Sequence, residues 1–347
     1  QTICADYEIK AKNASLEATG HGFKIIKEKE GVTVDYDKTV EQLYTYVTEK
    51  WNKKANIKLT ATTTVSKPKY TTEDCEKVSN EPMGSYTTEF SVGSSYANRN
   101  LNIQNGAKLI NGAVVYPGEQ YSCNENLYPW TEDNGWHPAG TYVDGGVQDS
   151  LGGGICQVSS TLYNALLRAE IKVVKRFPHS MAVGYVPLSA DAALAGDYKD
   201  LVFENDTDAP IYVQGIYNSG GSITFNIYGH DTRKAGHSVK YESKTVKTTP
   251  VKTQTKKDSS KPVGYSEVES SGHVGYVAEL WKITYENGKQ VSKELIHTST
   301  YAMSPTIVVK GTKKASTTTK KDDSDKDHKK SSEETTKKST SSKKSKK

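Results

Sequence analysis

No stretch of this 347-residue chain approaches the roughly 18 consecutive apolar residues of a membrane-spanning helix, and hydrophobic residues make up only 34% of it. Four cysteines do not make a disulfide scaffold at this length. They fit one or two bridges, and three full pairings are open. Phenylalanine is scarce, five against 22 tyrosines and four tryptophans, so most aromatic faces carry a polar edge, which suits sugar stacking as well as ordinary packing. A starting methionine and a signal peptide are both missing at Gln1, as expected of a mature or truncated product.

From Lys313 to Lys347 no apolar residue is larger than Ala315. Such a segment cannot offset about 1–2 kcal/mol of backbone entropy per residue, and disorder is expected. It carries thirteen lysines against six acids while the whole chain is +5, which leaves the rest close to neutral. Nucleic-acid binding would need basic residues clustered on the folded part, and none cluster there. A wall polyanion or an anionic membrane surface suits the basic tail better, and a plain solvated linker suits it equally.

What is present divides into modules. Residues 1–89 hold the short β-like runs "FKIIKE" and "GVTVDYD", then "DKTVEQLYTYVTEKWN". There Val40, Leu43, Tyr44, Val47 and Trp51 follow helical spacing, with Asp37 as the expected N-cap. "NIKLTATTTVSKP" reads as a strand ended by Pro68. Residues 98–111 have helical spacing closed by Gly112, and "AVVYPGEQYSCNE" reads as strand, Pro-Gly turn and strand.

The runs "LINGAVVYPGEQYSCNE", "GWHPAGTYVDGG", "GGGICQVSSTLYNALLRAEIKVVKRFPHSMAVGYVPLSADAAL" and "YKDLVFENDTDAPIYV" resemble the VanW family across residues 90–232. One departure is Cys123 in "YSCN", where that family usually has Phe-Ser-Phe-Asn. The preceding residues resemble a small α+β peptidoglycan-binding module that often accompanies it. Residues 233–262 read as a linker or the start of the next module. Residues 263–312, with alternating strands around Asn287-Gly288, give a hairpin signal and resemble a G5 β module. The resemblance implies an extracellular, cell-wall or surface protein of a Gram-positive-type bacterium, linked to glycopeptide-resistance loci, with peptidoglycan or another wall polymer as partner; it implies no particular reaction. The expected fold is α+β: a central domain whose helix follows a Gly-rich turn and packs on antiparallel strands, flanked by the two modules and the tail.

The chemistry concentrates around "GGGICQVSSTLYNALLRAEI". Val158, Leu162, Ala165, Leu166 and Ala169 form a helical face, which puts Cys156 at the helix N-terminus. Free N–H groups and the helix dipole there lower a thiol's pKa. Gly152, Gly153 and Gly154 permit a sharp turn and close substrate approach. His179 follows the strand "IKVVKRF" and Asp191 follows "GYVPLSAD", read as a further strand. Cysteine, histidine and acid in that order resemble transglutaminase-like thiol enzymes, with Gln157, Ser159, Ser160, Trp130 and Trp136 as candidate ligand contacts. Each residue also has a bland alternative. Cys156 packs, or bridges to Cys123 while Cys4 pairs with Cys75; His179 is a structural or binding residue; Asp191 caps a helix. Zinc suits the same side chains, but no CxxC or HxxxH spacing supports it, and no metal or cofactor is expected. Two functions remain: thiol-dependent acyl transfer or amidase/peptidase action on peptidoglycan, and a non-catalytic wall-binding scaffold.

Overall fold

The computed structural model describes residues 8–20, 22–53, 58–143 and 146–314. The order of elements is mixed, with 19 strands and a few helices among the described residues, which makes the protein α+β as expected.

The central domain is built on a four-stranded antiparallel sheet in the order Gly84–Glu89, Ser222–Tyr228, Ile211–Asn218, Ala113–Val115. Ile223, Phe225 and Ile227 alternate inward and are fully enclosed, the period-2 pattern of a strand with one face on the core. Gly84–Glu89 pairs with Ser222–Tyr228 throughout, so the expected division at residue 89 assigns a strand of the central sheet to the preceding module.

Two helices cover the inner face, α3 (Ala97–Ile110) and α5 (Ile155–Ala169). Earlier in the chain lie α1 (Tyr36–Thr45) and the short α2 (Thr72–Glu76), and α4 (Cys123–Leu127) falls between the two packed helices. The expected apolar face of α5 is buried, but so is nearly all of the rest, including Gln157, Ser159, Ser160, Thr161 and Asn164. A helix buried all round must satisfy its polar groups internally. Asn164 donates to the carbonyls of Ser160 and Ala190, and Thr161 donates to Gln157 O and shares a hydrogen bond with Thr88.

The outer face of the sheet is covered by the hairpin Ser15–Thr19/Gly22–Ile26. Its Phe23 ring lies 5.2 and 5.6 Å from the rings of Tyr212 and Tyr228. The N-terminal module is thus packed against the central domain. Its helix differs from expectation. Asp35, not Asp37, caps α1, its carboxylate accepting from Lys38 N at 3.1 Å. The helix ends at Thr45, and a π turn spans Tyr46–Lys50. Its apolar face is exposed, Val40 at 62% and Tyr44 at 70%.

Of the two readings of residues 233–262, the structure has the start of the C-terminal module: His237–Thr249 and Thr253–Pro262 are long strands. His237–Thr249 joins Gly275–Glu286 and Lys289–Tyr301 in one antiparallel sheet, and Thr253–Pro262 runs parallel to Thr306–Lys313 in another. The Asn287-Gly288 turn has positive φ at both residues, 49° and 77°, as the two-residue hairpin requires. The tail from residue 315 onward lies outside the described residues.

Candidate functional site

A hairpin, Pro138–Val143 with Gly146–Leu151, delivers the chain to the glycine turn. A Cβ on Gly153 would sit 2.4 Å from Ala139 O, so the turn passes directly against the hairpin backbone. Gly154 caps α5 in the left-handed region, φ 108°, where side-chain-bearing residues are disfavoured. These two positions place Cys156 in the first turn of α5, where N–H groups lack helical partners and favour negative charge.

His179 and Asp191 come from the long connection after the strand Lys172–Lys175. No strand forms over 183–191, contrary to expectation; the segment is irregular and tied down by side chains. Ser159 and Ser160 of α5 donate to Ala192 O, and Ser160 Oγ accepts from Ala192 N. Both serines are fully buried and fasten the loop to the helix, and neither lines the cavity over the Cys156 thiol.

Those anchors align three groups. Asp191 Oδ2 accepts from His179 N at 2.7 Å and lies 2.6 Å from His179 Nδ1. This leaves Nε2 facing the Cys156 thiol and the Tyr185 hydroxyl, the latter at 3.4 Å. Leu194 N donates to Cys156 Sγ at 3.4 Å. Asp191 Oδ1 accepts from Arg176 Nη2 at 2.8 Å and from the Tyr301 hydroxyl. Asp191 therefore orients an imidazole and caps nothing.

The electrostatics follow from burial and these contacts. Burial pushes the Cys156 thiol up, but the hydrogen bond and charge of His179, with Leu194 N–H, outweigh it and leave the thiol below its ordinary value. Burial alone would lower His179; Asp191 and the thiolate instead raise it to about 9. Burial opposes ionisation of Asp191, yet His179, Arg176 and Tyr301 hold it at about 2. The two shifts favour a thiolate beside an imidazolium, with a buried carboxylate behind the ring.

A cavity of about 520 Å³ opens over the thiol, with Tyr96, Arg99, Trp130, Tyr185, Tyr198 and Lys199 in its walls. Gly152, Gly154 and Gln157 also line it. Gln157 is held by Arg99, Thr88 and Glu89 O. Trp130 is well placed to meet a ligand. Trp136 is completely enclosed in the core and offers no stacking face, which corrects that expectation. Arg99, Tyr198 and Lys199 had no signal in spacing; folding alone brings them to the thiol.

Cys75, Cys123 and Cys156 carry free thiols. The Cys123–Cys156 bridge, one of the alternatives, is not formed, and Cys123 packs in the core with its thiol pushed up by burial. Cys4, the suggested partner of Cys75, lies outside the described residues. Among those residues no cluster of three or more His, Cys, Asp or Glu suits a metal, and no helix is long and apolar enough to cross a membrane.

Fold and site together define a modular protein with a buried Cys-His-Asp centre in its middle domain. Residues 98–228 match the VanW-like protein family, 240–313 the G5 domain, and 1–56 the family described as "Putative peptidoglycan binding domain". The chain bears a VanW-like domain together with these two further modules, and it is cell-wall-associated. The Bacillus subtilis (strain 168) protein YoaR is 37% identical over 47% of this chain and 53% of its own length. The Enterococcus faecalis "Vancomycin B-type resistance protein VanW" is 28% identical over 32% of this chain and 42% of its own. The chain thus spans about half the length of the curated relatives it matches. Among solved structures, "IgA1 Protease G5 domain structure" is 30% identical, covering 24% of this chain and 96% of that one with a TM-score of 0.18. The G5 assignment rests on the family match, not on that score.

Proposed function

We propose that this protein performs thiol-dependent acyl transfer on peptidoglycan peptides in the extracellular wall. The observation that carries the reading is that Cys156 and His179 line one cavity, with the buried Asp191 carboxylate 2.6 Å from His179 Nδ1 behind them. The Cys156 thiolate adds to a peptide carbonyl, forming an S–C bond. The C–N bond then breaks as His179 gives its proton to the departing amine. A thioester remains on Cys156, and a water or a second amine, deprotonated by His179, attacks it and restores the thiol centre. Water makes the protein an amidase or peptidase, and an amine makes it a transpeptidase; both fit the same centre.

The cavity supports a peptide substrate carrying free carboxylates. Arg99 and Lys199 are in its walls, and no carboxylate lines it among the described residues. Trp130, Tyr96 and Tyr198 offer faces for a sugar or side chain. The flanking modules supply wall contact in this reading.

The test is the pH dependence of Cys156 alkylation by iodoacetamide. An inflection below the roughly 8.5 of a free thiol is expected, with His179→Ala moving it upward. A profile at the ordinary value, unchanged by His179→Ala, would overturn the proposal.

A further inference from the structure

The second oxygen of Asp191 is satisfied by the C-terminal module, a contact that a wall-binding module has no need to make. The strand Lys289–Tyr301 turns alternate residues, His297, Ser299 and Tyr301, toward the central domain, while Thr298 and Thr300 face outward. The Tyr301 hydroxyl donates to Asp191 Oδ1 and accepts from Ser189 N at 2.6 Å. Ser299 Oγ accepts from Arg176 Nη1 and from Ser189 Oγ, each at 2.8 Å. His297 Nε2 lies 2.8 Å from the Tyr163 hydroxyl and its Nδ1 3.1 Å from Ser189 Oγ. Just beyond the strand, Ala302 N donates to Ser180 O, next to His179, at 2.7 Å. Ser299 is 1% exposed and Tyr301 3%, and Leu280 of the neighbouring strand belongs to the central core.

We infer that Tyr301 and Ser299 are positioning residues of the thiol centre, so that the centre is assembled between the VanW-like domain and the G5 module. This rests on the acyl-transfer reading above. Tyr301 fixes Asp191 Oδ1, and Ser299 fixes Arg176, which holds the same oxygen. With Oδ1 anchored from both sides, Oδ2 is aimed at His179 N and Nδ1 together. The imidazole is then fixed with Nε2 toward the sulfur. The groups facing Asp191 are Arg176, His179 and Tyr301, with Tyr163 and His297 behind them; burial, then the charge of Arg176, lowers His297 to about 4, so it stands there neutral. A module docked only for wall binding would have needed none of this polar burial, since a buried donor or acceptor is costly unless it is paired.

The full chain tests it, with Tyr301→Phe, Ser299→Ala, the two together, and Thr300→Ala on the outward face as control. Tyr301→Phe keeps the ring volume, so it tests the hydroxyl even where the double variant folds poorly. Far-UV circular dichroism and the thermal midpoint check folding in each. The expected result is an upward move of the Cys156 alkylation inflection of about one pH unit in the double variant and a smaller move in Tyr301→Phe. Turnover of a soluble wall-peptide fragment should show kcat lowered with KM held, and Thr300→Ala should match the wild type. A lowered, His179-dependent inflection in the wild type that neither Tyr301→Phe nor the double variant moves overturns the role of this strand alone. An ordinary inflection in the wild type, indifferent to His179→Ala, overturns the thiol centre and this assembly with it.

Discussion

The Asp191 carboxylate meets Arg176, Tyr301 and both the backbone N and Nδ1 of His179. Its side chain is 1% exposed and meets the 7% exposed Arg176 and the 11% exposed His179. Breaking a buried pair costs more than the pair contributes, because the remaining charge is left alone. Asp191→Ala should therefore destabilise by about 3–5 kcal/mol, read from chemical denaturation, besides abolishing turnover. Its pKa of about 2 lies below the ordinary carboxylate value. The stability it contributes is present above about pH 4 and lost as the pH falls toward 2. His179 gives the opposite sign. Raised to about 9, it stays protonated through neutral pH and loses its proton as the pH rises through that value. Acyl transfer that needs this proton for the leaving amine should fall through about pH 9, while alkylation, which needs only the thiolate, should not. A turnover profile flat to pH 10 would contradict that assignment. At this scale the types and order of Cys156, His179 and Asp191 singled them out in the sequence, and the fold brings them together. Trp136 was misread because an aromatic residue in a polar turn does not reveal which way its ring faces; here it faces the core.

Among the elements, α5 was legible from five apolar positions, while its polar Gln157, Ser159 and Ser160 were read as candidate ligand contacts. They are buried because the sheet, the loop carrying His179 and the C-terminal module pack around the helix, and no local pattern encodes three distant coverings. The sequence left 233–262 open between linker and module because the exposed Lys and Thr side chains of the strands there leave little alternation to detect. The far end of α5 is tied to one of them. Glu170, its C-cap, contacts His237 Nε2 at 2.7 Å and Lys282 Nζ at 2.5 Å, and His237 Nδ1 is 2.8 Å from Glu286. The hydrogen bonds to Glu286 and Glu170 raise the pKa of His237. That contribution is complete below the usual histidine range and is lost as the pH climbs above it. The thermal midpoint should therefore decline over that interval, and His237→Gln should remove the decline; an identical pH dependence in the variant would refute the assignment. The glycine turn is as specific. Gly153→Ala puts a Cβ 2.4 Å from Ala139 O, against backbone that cannot yield cheaply. The variant should unfold at lower denaturant and alkylate Cys156 with altered kinetics.

For the molecule as a whole, three sequence modules become one packed body around the central sheet. The N-terminal hairpin covers its outer face, and the C-terminal module packs behind the thiol centre against Asp191 and Arg176. Modularity was readable from composition shifts and family resemblance. The mutual packing was not, because Phe23, Tyr212 and Tyr301 carry no mark of their partners in the linear order. The basic tail belongs to this scale too. If its thirteen lysines bind wall polyanions, deleting residues 313–347 should weaken retention on isolated walls more at low than at high salt. Equal retention at low salt would refute that role. The measurement that bears most directly on the central claim is mass spectrometry of the intact protein mixed with a soluble peptidoglycan peptide and quenched in acid. The account predicts a mass increment equal to the acyl portion of the peptide, mapped to Cys156 and absent from Cys156→Ala. Peptide turnover by Cys156→Ala at the wild-type rate would contradict it.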